Sequence, residues 1–150
     1  MVYGDSTPFT PCSNTTLTAN VLEVQQVTIP TQITVSALGA IGNHPVSGLK
    51  GILMLYSDSG GSPALLETYT NEAGIGAGDN RVSVLAGATL PAGTYWIGGE
   101  YAAGASICVD TSGNNTLAYV QSAYPAMPSP FGTANVMAGP NFNYYVVGYE

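Results

Sequence analysis

Apolar residues recur at every second position through much of this chain, and nowhere with helical spacing beyond about a turn. Leu17, Ala19 and Val21 alternate with polar residues. Val27, Ile29, Ile33, Val35 and Ala37 do the same, with Gln32, Thr34 and Ser36 on the opposite face. A period of two is the mark of a half-buried strand. Pro30 sits between the halves of this run, where a bulge or an edge position is expected. Residues 49–56 are apolar on both faces, which predicts a central strand covered on both sides. Asp58-Ser-Gly-Gly-Ser-Pro63 is a loop signal. Further strands are expected at 65–70, 81–85, 94–101, 106–109, 116–124 and 143–149.

About nine antiparallel strands without helices predict an all-β, jelly-roll-like sandwich. It is expected to be a single domain over residues 15–150, preceded by an extended arm at 1–14 that Pro8 and Pro11 keep from forming a helix. Residues 125–142 have little strand character and read as a long loop, which in a compact domain is often functional or interfacial.

Charge narrows the partners. Two basic residues, Lys50 and Arg81, stand against nine acidic ones, for a net charge of −7. Charged residues make up 7% of the chain, against roughly 25% in an average soluble domain. Phosphate recognition needs clustered Lys and Arg, so nucleic acid is excluded, and anionic membrane surfaces with it. No apolar run reaches the roughly 20 residues of a membrane span, so direct membrane insertion is not expected. The start, Met-Val-Tyr-Gly-Asp, has neither the basic nor the apolar region of a signal peptide. A secreted protein with this start would have lost its signal or travelled by another route.

Cys12 and Cys108 are the only cysteines. An even count in a Gly-, Thr- and Asn-rich acidic chain predicts one disulfide, formed outside the cytosol. The alternative is a pair of buried thiols. Zinc is not expected, because His44 is the only histidine. If Ile107 and Val109 face the core, Cys108 faces outward, where the arm crosses and the bond straps it down.

Two segments carry a resemblance. Ile52-Leu-Met-Leu-Tyr-Ser-Asp-Ser-Gly-Gly-Ser-Pro-Ala-Leu-Leu-Glu-Thr68 is similar to the LYSD-GG-PG-LL strand and loop of bacterial extracellular and phage-tail-type β-sandwich modules. Leu90-Pro-Ala-Gly-Thr-Tyr-Trp-Ile97 resembles the L-AGTYW strand that follows it there. The resemblance covers residues 27–101. It implies a display or binding module on a cell or virion surface, and it supplies no catalytic residues. In a bacterial or viral protein the sequons at Asn14 and Asn114 are chance matches.

Each chemistry has its candidates. His44, in a Gly-Asn-His-Pro turn, is the only base that a nucleophilic triad could use, and it reads as an exposed turn residue. Glycoside hydrolysis needs two carboxyls at fixed separation. Glu100 lies in an apolar strand on the face of Trp96, and Glu67 and Glu72 flank another strand, but no enzyme is expected. Calcium is the one candidate cofactor, with Asp58, Asp79 and Asp110 in oxygen-rich loops; such residues also serve turns. Trp96 is expected in the core. Tyr101, Tyr119, Tyr124, Tyr144, Tyr145 and Tyr149 are the candidate contact aromatics. Because Tyr144 and Tyr145 are adjacent, one of them should face away from the core.

Together these residues predict a non-catalytic structural or adhesive module of an extracellular, cell or virion surface. It would assemble with copies of itself or a neighbouring surface protein through its arm and strand edges, which almost lack the lysines that block edge pairing. The alternative is a carbohydrate-binding module that holds polysaccharide on exposed tyrosines. A concave row of tyrosines would favour sugar, and tyrosines along a sheet edge would favour assembly.

Overall fold

The computed structural model describes residues 1–10, 12–42 and 49–150, with the backbone alone at 13–16. His44 lies outside the described residues. In chain order the strands are β1 (Val2–Gly4), β2 (Ser13–Leu17), β3 (Val21–Ile29), β4 (Ile33–Gly42), β5 (Lys50–Ser59), β6 (Ser62–Tyr69) and β7 (Ala73–Gly74). They continue with β8 (Gly78–Ser83), β9 (Thr89–Leu90), β10 (Gly93–Tyr101), β11 (Ala105–Gln121), β12 (Asn135–Phe142) and β13 (Tyr144–Tyr149). All named pairings are antiparallel. The fold is all-β, as the alternation predicts. Among the described residues no helix is long and apolar enough to cross a membrane.

The hydrogen-bonded path runs β1-β13-β4-β11-β3-β10-β5-β6 and folds over on itself. The turning point is β11. Its first half pairs with β2 and touches β4 at Gly42, while its second half lies between β3 and β12. Sequence reading splits β11 in two, because Asp110-Thr-Ser-Gly-Asn114 looks like a turn. The chain instead slips register between Asp110 and Asn115 and carries on. On the opposite side a bridge from Thr70 to Val84 closes the sandwich.

Two differences from the sequence expectation are local. Pro30 sits in a turn between β3 and β4, not in a bulge of one long strand. Half of the expected loop at 125–142 is β12, whose Gly139 and Pro140 disguise it. Proline is tolerated at an edge or a bulge, and β12 is an edge strand with its slip at this point.

Alternation sorts most of the buried side chains into two large separate cores, with a small third cluster around Tyr145. Val27 and Ile29 of β3, Leu53 and Leu55 of β5, and Tyr95 and Ile97 of β10 face inward against Leu38 of β4 and Val146 of β13. The opposite face of the same sheet carries Leu22, Val24, Ile52, Met54, Tyr56 and Trp96, equally buried. Residues 122–134 roof this outer face, with Phe131 edge-on to Tyr56 at 5.1 Å between ring centroids. β5 is thus apolar on both faces because both are covered.

The arm lies on its own domain. β1 pairs with β13, Val2 opposite Val147. Cys12 and Cys108 form the disulfide, with Cα atoms 5.0 Å apart, and Ile107 and Val109 face the inner core as the parity argument requires. Asn143, fully buried, does the rest: its Nδ2 donates to the Asp5 and Thr7 carbonyls at 2.8 Å each, and its Oδ1 accepts from Phe9 N at 3.2 Å. Gln25 donates to the Asp5 carboxylate at 3.3 Å and exchanges two bonds with the Phe142 backbone, at 2.8 and 2.7 Å. Asn143→Ala therefore strands three backbone groups of the arm. The expected cost is about 2–3 kcal/mol, with faster hydrogen exchange at the Phe9 amide while exchange at Val146 stays slow.

Candidate functional site

The six candidate tyrosines divide by burial. Tyr101, Tyr144 and Tyr145 are sealed from solvent and cannot serve as contact aromatics. Tyr101 and Tyr144 meet in the inner core, hydroxyl to hydroxyl at 2.5 Å, and burial pushes both phenols up. Tyr145 does point to the opposite face from Tyr144, as adjacency predicts. That face is covered too: Ile41, Cys108 and Cys12 pack there. Its ring occupies the space a Cβ at Gly39 would need, its hydroxyl donates to the Asp79 carboxylate, and the Arg81 guanidinium lies 5.7 Å from the ring centroid. Strand alternation exposes a residue only when one face is open, and β13 has cover on both.

The other three remain accessible but do not form a row. Tyr119 is 37% exposed on β11, opposite Asn135 of β12. Tyr149 ends β13, 59% exposed. Tyr124, half-buried, donates to Glu72 Oε2 at 2.5 Å, and Glu72 Oε1 lies 3.3 Å from Lys50 Nζ. An open hollow of 310 Å³ follows Gly4–Thr10, and Phe9 is its one aromatic wall.

The calcium candidates stay apart. Asp58 accepts from Trp96 Nε1 at 2.9 Å and from Gly61 N at 3.4 Å. Asp110 accepts from Ser112 N at 3.0 Å and Ser112 Oγ at 2.7 Å, a turn-forming use of the side chain. Asp79 holds Tyr145. Among the described residues no group of three or more His, Cys, Asp or Glu side chains comes together.

Glu100 is the group whose burial the sequence leaves open. It shares the outer face with Trp96, 0% exposed, and neither carboxyl oxygen has a hydrogen-bond partner. Burial raises its pKa from the ordinary carboxyl value; the Ser122 hydroxyl lowers it in part without reaching hydrogen-bonding geometry. The groups it influences are the phenols of Tyr56 and Tyr124.

The sheet edges differ in how far they are covered. β6 is capped by the roof, since Phe131 N donates to Ala64 O at 2.7 Å and Leu66 N to Ser129 Oγ at 3.2 Å. β12 is different. It pairs only with β11. Asn135-Val-Met-Ala-Gly-Pro-Asn-Phe142 holds no charge. Val136 is 42% exposed and Met137 51%, with Tyr119 beside them. Sequence reading missed this edge because Gly139 and Pro140 break the strand signal. Its lack of charge is the sequence signal that points to it. Compared with family models, curated proteins and solved structures, the chain matches none of them.

Proposed function

We propose that the protein is a non-catalytic structural or adhesive module of an extracellular or virion surface, and that it docks through the free edge of β12 onto a second copy of itself. The observation that carries this reading is an uncharged, one-sided edge strand with Val136 and Met137 exposed. Unpaired backbone groups on such an edge are a template for another strand. Natural edges are commonly blocked by lysine or an inward charge, and β12 has neither. Although the chain carries a net charge of −7, two β12 strands meeting would bring no like charges into register. Tyr119 borders this edge and Tyr149 lies on the strand paired with β1, the distribution that favours assembly over sugar binding. The disulfide suits a compartment outside the reducing cytosol. The arm is spent on completing its own sheet, which leaves the edge as the docking element.

Sedimentation velocity over a concentration series tests this. The wild type is expected to self-associate, and Met137→Lys to weaken association by about tenfold or more, because paired edges then bring lysines together. A wild type that stays monomeric at the highest concentration, or a variant that associates equally well, would sink the reading.

A further inference from the structure

Residues 122–134 leave β11, cross the outer face of the sheet to its far edge at β6, and return as β12. This strap is not a strand of the sheet, and its attachments are few. Ser122 N donates to Asn20 O at 3.0 Å and Tyr124 N to Asn20 Oδ1 at 2.9 Å. The Tyr56 hydroxyl donates to Pro128 O at 2.6 Å, and Phe131 and Ser129 hold the β6 edge. Beneath the strap lie the only tryptophan, Trp96, and the unpartnered carboxyl of Glu100.

We propose that protonated Glu100 latches this strap: the neutral acid lets residues 122–134 seat over the outer face, and ionisation loosens them, freeing the β6 edge at Ala64 and Leu66. The inference stands apart from the docking role of β12. A carboxylate with both oxygens buried and unpartnered is costly unless a cation or donors reach it. None does. From β5 it faces Ile52, directly opposite, and the neutral phenol of Tyr56; from the strap it faces Ser122 and Tyr124. The outer-face residues of β3 nearest to it, Leu22 and Val24, are apolar. Lys50 is engaged by Glu72 beyond Tyr124, with its side chain largely exposed. Relief by opening the sandwich would break the inner core, whereas lifting the strap would not, so the strap is the element that yields.

The sign follows from linkage. An open strap returns Glu100 to its ordinary value of 4.5, and closure raises it. Closure is therefore fully favoured below that pH and is lost progressively as pH rises toward the raised value.

Trp96 reports the state of the strap directly. Acrylamide quenching of its fluorescence should rise at least about twofold from about pH 4 to about pH 8, and the protection factor of the Phe131 amide, taken against the intrinsic exchange rate at each pH, should fall about tenfold, with the protection factors of β13 amides unchanged. Glu100→Gln, a neutral mimic of the closed form, should hold both readouts at their acid values throughout. Asp58→Asn controls for the carboxylate that accepts from Trp96 Nε1 and should keep the wild-type response. A wild type flat with pH, an unaltered response in Glu100→Gln, or a response lost in Asp58→Asn would each overturn the proposal.

Discussion

Replacing Cys12 and Cys108 together by alanine is expected to lower the unfolding free energy by about 4–5 kcal/mol, on the loop-entropy scale for a long closed segment. The bond joins residues 96 apart, so it restricts most of the unfolded chain. In the folded state it also fills space: Cys108 is buried against Ile41 and Tyr145. Its loss would leave the arm held by β1, by Asn143 and Gln25 and by backbone bonds such as Asp5 N to Tyr144 O. Urea titration of the variant, and of the wild type under reductant, should give matching losses. A change below about 1 kcal/mol would mean that the arm is held by hydrogen bonds and not by the strap of sulfur.

Trp96→Ala should cost about 3–5 kcal/mol, the range for removing a large aromatic ring from a sealed core. Trp96 is 0% exposed at the centre of the outer-face core, and its Nε1 holds Asp58. The loss should be uneven. The inner core keeps its own contacts, so strap amides should exchange much faster while those of β4 and β13 change little. Equal acceleration everywhere would show that the two cores melt as one, against the separation described above. Thermal unfolding followed by circular dichroism gives the total, and hydrogen exchange gives its distribution.

How much of this was legible in the sequence follows from what each residue's environment depends on. Strand alternation is local, so Val27, Ile29, Leu53 and Leu55 could be placed facing inward without knowing the topology. The parity of Ile107 and Val109 likewise placed Cys108 on the outer side. Burial on the second face is not local. Tyr145 is hidden because Ile41, Cys108 and Cys12, distant in sequence, pack over its face, and Asp79, which accepts from its hydroxyl, is 66 residues away. Asp58 looks like a loop ligand until Trp96, 38 residues on, is seen to donate to it. Glu100 could be placed on the face of Trp96, but nothing in the chain near it says that residues 122–134 return to cover that face. The sequence divides β11 in two and shows β12 as loop for one reason: turn-forming residues at Asp110–Asn114 and at Gly139-Pro140 sit on facing sides of a single register slip.

We propose β12 as the edge through which the molecule meets a second copy of itself. Hydrogen exchange at the β12 amides, measured at dilute and concentrated protein, tests it most directly. Docking through this edge predicts that protection of the β12 amides that point away from β11, alternate residues along the strand, rises with concentration by about tenfold, while that of β1 is unchanged. Protection at β12 that is independent of concentration, in a sample that associates, would place the contact elsewhere and contradict the account.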